Sequence, residues 1–457
     1  MTIKKERLIR DLTTGNVPLT LLGFAMPLFL SGLLQTLYNM VDMVIVGRYV
    51  GSEGLAAVSI GGELLQLLTF IAMGMANAGQ IRISRFVGEK RYELVGKTIG
   101  TLFTLLLSAA VLLTLICFIL HKQMLSWINT PIEVWDMTRD YLVTCICGLV
   151  FIYGYNLVSA ILRGMGDSRH PFLFIAIASI INIILDFIFV ANMGMGPFGA
   201  ALGTIIGQGI SFLFALRILI RNASQFHFEF KLKNFRIYEE VFNPLMSLGI
   251  PMMIQSAAIH FSMIFVNAFI NTYGVAAVAV TGVGKKIESI INIISQALSS
   301  AGGAMVSQCL GAGKTKRVTK VVGTCYGVLI PPTIMMCLIT IFKPEWLFGL
   351  FTKDKAVLTL ALSYLPVALV QYAGSLTRPA NFALINGSGN SKLNLVVALL
   401  DGIVSRIGFA YFLGVILKKG IMGWWYGNAI SGLIPFVIGT IYLISGKWKK
   451  MVTTTNN

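Results

Sequence analysis

Four residues of this 457-residue chain, Asp42, Asn39, Asp186 and Asn182, combine acids and amides inside long apolar runs. An ionisable group in such surroundings is costly and becomes a functional candidate for that reason. Gln35, Asn39 and Asp42 follow i, i+4, i+7 spacing, so one helical face carries all three, with Tyr38 beside them. Asp186 has Asn182 one turn before it. Counted from the basic ends of their apolar runs, Asp42 and Asp186 fall at similar depth, so they could share one polar pocket. Asn156, Thr204 and Gln208 are available to complete it. Such a pocket has two chemical uses. Desolvation and a like charge nearby both favour the protonated form of a carboxyl group, so one of a pair could carry a proton near neutral pH. Alternatively, carboxylate, amide and hydroxyl oxygens suit a hard cation, and Asp42 and Asp186 would then be ligands to Na⁺. A hydrogen-bonded structural network facing a wet cavity is the plainer reading of the same residues.

The second half of the chain is charged differently. Gln255, His260 and Asn267 share one apolar run, and Lys285, Lys286 and Glu288 lie in the next. Arg378, Asp401 and Arg406 follow further on. Gln255, Lys285, Glu288 and Arg378 form a possible polar or substrate-lining set. Structural pairing is the simpler expectation, of Lys285 with Glu288 and of Asp401 with Arg406 or Arg378. Enzyme chemistry finds no support. It needs a nucleophile with its base or a metal cluster, whereas His121, His170, His227 and His260 are scattered. Leu310-Gly-Ala-Gly-Lys-Thr315 imitates the end of a phosphate-binding loop, but Gln308 stands where its first glycine belongs and no strand precedes it. All six cysteines lie in or beside apolar segments, and Cys145-Ile-Cys147 lacks metal-site spacing. No cofactor is expected beyond a coupling H⁺ or Na⁺.

The elements that must position these groups are membrane helices. The chain is 56% hydrophobic and 12% charged, with mean hydropathy +0.79, whereas a soluble domain is about 25% charged. About twelve apolar runs are long enough to span a bilayer, including one near residues 138–162. Blocks of the first half recur in the second at an offset of 223 residues: Ser84 and Gly88 find Ser307 and Gly311, and Tyr141-Leu142 finds Tyr364-Leu365. Arg163-Gly-Met-Gly-Asp-Ser-Arg169 likewise finds Asn386-Gly-Ser-Gly-Asn-Ser-Lys392. The fold class expected is an all-α polytopic membrane protein of two parallel six-helix bundles, an arrangement that exposes a site alternately by rocking. The expected division is 1–222 for the first bundle, 223–240 for a polar connecting loop and 241–457 for the second.

The net charge of +17 serves orientation. By this topology about 24 of the 36 Lys and Arg lie in alternate loops and tails, among them Lys4, Lys5, Arg7 and Arg10, Arg82 to Lys97, and Lys314 to Lys320. This bias places a multi-pass protein in the cytoplasmic membrane with both termini in the cytoplasm. A nucleic-acid partner is not indicated. Residues 1–16 are polar and the first apolar run is too long for a signal h-region, so no cleavable signal is expected.

Met26-Pro27, Tyr38-Asn-Met-Val-Asp42-Met-Val-Ile-Val-Gly47 and Gly54-Leu-Ala-Ala-Val58 resemble the multidrug and toxic compound extrusion family. So do Ile83-Ser-Arg-Phe-Val-Gly88, Arg163 to Arg169 and Asn182-Ile-Ile-Leu-Asp186, with Ile250-Pro251, Val306 to Gly311 and Asn386-Gly-Ser-Gly389 repeating the pattern. The resemblance implies twelve helices in two lobes around a central cavity. It implies export of cationic, amphipathic drugs or dyes in exchange for Na⁺ or H⁺, with the lipid bilayer as surroundings and no obligate protein partner. The family's acid on the first helix matches Asp42, and its Asn-x-x-x-Asp on the fifth matches Asn182 and Asp186. Members of the Na⁺-coupled NorM type also place carboxylates on helices seven and ten. Gln255, His260, Ser375 and Arg378 stand there instead, so coupling through the first lobe is expected and the ion is left open. A lipid-linked precursor flippase on a related fold is the alternative. It would want several arginines for a pyrophosphate head group, where only Arg378 and Arg406 are available.

Overall fold

Without water to receive backbone hydrogen bonds, an apolar chain crossing a bilayer satisfies them internally, and helices do so within one segment. The computed structural model describes residues 8–352 and 354–452, and there the chain is helical, with no strand among the described residues. Lys4, Lys5 and Arg7 of the basic set lie outside the described residues. The first half runs α1 (Val17–Tyr49), α2 (Ser52–Gly88), α3 (Tyr92–Trp127), α4 (Trp135–Cys147), α5 (Leu149–Gly164), α6 (Arg169–Asp186) and α7 (Gly196–Arg221). The second runs α8 (Glu239–Asn271), α9 (Val275–Gly311), α10 (Thr315–Phe342), the short α11 (Pro344–Gly349), α12 (Lys355–Ser388), α13 (Ser391–Leu399), α14 (Ser405–Tyr411), α15 (Gly420–Ser431) and α16 (Ile434–Ser445).

Among the described residues, eleven helices or near-continuous helical stretches are long and apolar enough to cross a membrane. A twelfth span is α4 with α5, bent by 49°. The bend falls at Gly148, where an added Cβ would stand 2.4 Å from Ile205 of α7. Close approach of a neighbouring helix to a bare backbone accounts for a kink that hydropathy alone does not show.

The repeat survives in three dimensions, contact by contact. A Cβ on Gly61 would meet the Tyr141 ring at 2.5 Å, and one on Gly284 would meet Tyr364 at 2.4 Å. Gly164 lies against the carbonyl of Gln80 and the side chain of Ile83; Gly387 lies against the carbonyl of Gly303 and the side chain of Val306. Each pair is separated by the same 223 residues read from the sequence. The Gly-x-Gly turns close as expected, with Gly166 at φ 89° and Gly389 at φ 73°, in the left-handed region that glycine tolerates.

Packing groups the chain into two compact units. One holds Leu30–Gly249 with the stretch ahead of Asp11; the other holds Asp11–Phe29 with the residues from Ile250 onward. The changeovers therefore fall inside α1 and α8, within three residues of Pro27 and Pro251, each of which interrupts its helix's hydrogen-bond ladder. In the first unit the 223–240 connection is docked. Phe228, Phe230 and Phe235 pack edge-on with one another and against Phe103 of α3, and the carbonyl of Asn234 sits where a Cβ on Gly100 would stand. In the second unit the phosphate-loop imitation has a structural use. Gln308 accepts from the Leu12 amide at 2.9 Å and Lys314 donates to the Thr13 carbonyl at 2.9 Å. Arg317 donates to the carbonyls of Leu12, Thr14 and Gly15.

Candidate functional site

The first unit brings its two membrane acids together. Asp42 arrives on α1 and Asp186 on the last turn of α6, and both are buried, Asp186 completely. Their side chains lie within hydrogen-bonding reach of each other. Asn182, one turn before Asp186, donates to Asp186 Oδ1 at 3.4 Å and to Thr204 Oγ1 of α7 at 3.3 Å. Two glycines of α7 make the approach possible. A Cβ on Gly203 would stand 2.6 Å from Asp186 Oδ1, and one on Gly207 would stand 3.0 Å from the Ala178 carbonyl of α6. Directly after Asp186 the helix widens into a π-helical turn over Phe187–Asn192, a distortion frequent at functional sites.

What these groups lack defines their chemistry. Asp42 Oδ1, Asn182 Oδ1 and Asp186 Oδ2 are three buried oxygens without a hydrogen-bond donor among the described residues. Buried acceptors without donors are expensive. A cation supplies what they want, as a proton held between the carboxyl groups or as a hard metal ion held by the oxygens. No cluster of three or more His, Cys, Asp or Glu occurs among the described residues. A metal ion here would therefore depend on amide and hydroxyl oxygens beside the two carboxylates. Gly203→Ala tests the close packing: the new methyl group must displace the Asp186 carboxylate. Export is expected to slow about tenfold, the equivalent of ~1.4 kcal/mol, with membrane protein level unchanged. Full export by the alanine variant would mean that the position of this carboxylate is unimportant.

Of the other residues expected in the pocket, Tyr38 is half-buried and within reach of Gln35. Gln35 and Asn39 themselves are exposed, and Asn39 does not join the hydrogen-bonded set. Asn156 spends its amide on the Ile152 carbonyl of its own helix, at 2.8 Å. Tyr141 escaped notice as a site neighbour. It packs with Ile45, Val46 and Cys145 one turn along α1 from Asp42, and its place in the repeat was the only signal for it.

The MatE family model matches residues 27–188 and 251–412, one copy in each half of the chain. The chain belongs to the MatE family. This MatE protein is 29% identical over 443 residues to the probable multidrug resistance protein YpnP of Bacillus subtilis, covering 96% of this chain and 98% of the relative. It is 22% identical to the multidrug export protein MepA of Staphylococcus aureus, covering 84% of each. A solved outward-facing multidrug resistance MATE transporter of the MOP superfamily superposes with TM-score 0.88 at 21% identity, over 97% of this chain and 98% of that one. A second, from Pyrococcus furiosus, superposes with TM-score 0.85. The protein is thus a multi-pass membrane transporter with the two-lobed fold, and not an enzyme.

In this MatE transporter the second unit gives its buried acid two arginine partners. Asp401, fully buried in a π-helical turn over Leu400–Val404, accepts from Arg378 at 3.2 Å and from Arg406 at 3.3 Å. Arg406 also donates to Asn428 Oδ1 at 2.6 Å. Lys285 donates to Asn267 at 2.6 Å, and Glu288 accepts from Ser375 at 3.1 Å. Asp401 therefore pairs with both arginines where one was expected.

Proposed function

We propose that this transporter exports cationic, amphipathic compounds across the cytoplasmic membrane in exchange for H⁺ or Na⁺ taken up at Asp42 and Asp186. The observation that carries the reading is the contact between two buried carboxylates from separate helices, each keeping an oxygen without a donor among the described residues. Loading the pair from outside favours one arrangement of the protein, and discharge inside favours the other. The ion must bind the two arrangements with different affinity, because only differential binding shifts such an equilibrium. Multidrug resistance and multidrug export in the names of YpnP and MepA support the same substrate class. The placement of the basic residues supports cytoplasmic termini. A lipid pyrophosphate carrier is disfavoured, since Arg378 and Arg406 are both engaged by Asp401 and Glu288 also acts on Arg406.

The test is dye movement in vesicles containing the purified protein, with a Na⁺ gradient and a pH gradient imposed in separate experiments. One of the two is expected to drive movement well above protein-free vesicles. If neither does, antiport at this pair is wrong.

A further inference from the structure

We infer that the second unit carries a recognition site for an anionic group on the transported compound, built from Arg378 and Arg406 around Asp401 with Gln255 beside them. The inference deepens the export reading, since the anion is taken to belong to a compound the protein carries.

Near Asp42 the unsatisfied buried atoms are oxygens; near Asp401 they are donors. Arg378 Nε, Arg406 Nε and Gln255 Nε2 are all buried without an acceptor among the described residues. Arg406 and Gln255 are only 5% and 8% exposed, so bulk water does not compensate them. Gln255 belongs to the same neighbourhood. Gly402 is so close to α8 that a Cβ there would stand 2.7 Å from that of Ala258, one turn after Gln255, and Ser262 donates to the Gly402 carbonyl. One carboxylate pairs with both guanidinium groups, Glu288 also acts on Arg406, and fork-shaped donor positions on both arginines stay unused. That combination suits a singly charged carboxylate, which a guanidinium binds through paired N–H groups.

The site is also reachable. Arg378 lies ten residues before the end of α12 at Ser388, and Asp401 lies ten residues after the start of α13 at Ser391. At 1.5 Å per residue both stand about 15 Å from those helix ends, near mid-span. A quarter of the Arg378 side chain is exposed there. A guanidinium facing hydrocarbon at that depth is strongly disfavoured, so its exposed edge meets an aqueous hollow. A zwitterionic amphiphile entering that hollow finds a partner for its anionic group that a simple cation does not use.

Two rhodamines that differ only as methyl ester cation and free-acid zwitterion isolate this contribution. Fluorescence anisotropy with the purified full-length protein in lipid nanodiscs gives the affinity for each. The wild type is expected to prefer the free acid by about tenfold, and Arg378→Gln to bring the ratio close to one, a change of ~1.4 kcal/mol. Arg378→Lys, which keeps the charge and loses the fork, should fall between. Excess benzoate should displace the free acid and leave the ester bound. A wild-type ratio near one, or a ratio that Arg378→Gln leaves unchanged, overturns the proposal. Should Arg378→Gln fail to fold, benzoate competition on the wild type decides, and displacement of both probes or neither counts against the site. Gradient-driven export of the ester tests the antiport reading by itself, so the two can fail separately.

Discussion

Vesicles bearing Asp42→Asn are expected to export dye no faster than vesicles without protein, a fall of about 100-fold or more from wild type, equivalent to ~2.7 kcal/mol in the coupled step. Asparagine keeps the size of the side chain and one carbonyl oxygen. It cannot accept and release a proton, and it removes a negative charge from any metal site. Asp186→Asn should behave alike, since the two carboxyl groups are in contact and act as one unit. Protein level in the membrane should stay at the wild-type value for both variants, because neither substitution changes volume in the packing between α6 and α7. Undiminished export by either variant would remove the carboxylate pair from the mechanism.

Most of the architecture is written in the sequence as hydropathy and repetition. Twelve spans need apolar runs, and the 223-residue offset predicts matching contacts that Gly61 with Tyr141 and Gly284 with Tyr364 then make. The site is legible only in part. Spacing places Gln35, Asn39 and Asp42 on one helical face, yet it does not say which turn of that face another helix covers. In the fold the covered turn carries Asp42, Ile45 and Val46, and Asn39 is left exposed. Gly203 could not be singled out among 46 glycines, because its importance comes from what α6 brings against it. The changeovers inside α1 and α8 are equally silent in composition, although the two prolines near them mark where each helix can bend.

Two completely buried aspartates, Asp186 and Asp401, should respond differently to the same substitution. Asp401 is the ion-pair partner of both guanidinium groups, and Arg406 also donates to Asn428 Oδ1. Asp401→Asn would strand both charges in a low-dielectric interior and is expected to cost about 3–5 kcal/mol of unfolding free energy. Adding Arg378→Gln and Arg406→Gln to that variant should recover most of the loss, because the penalty comes from the unpaired charges. Among the described residues no cation pairs with Asp186. Its neighbours are another carboxylate, a long bond from Asn182 and acceptors without donors, so Asp186→Asn should leave stability within about 1 kcal/mol of wild type or raise it. Denaturant unfolding of the purified variants in detergent measures both. An equal, large loss at both positions would make Asp42 and Asp186 a structural network. A loss at Asp401 alone is what a site that stays unsatisfied until a cation arrives requires.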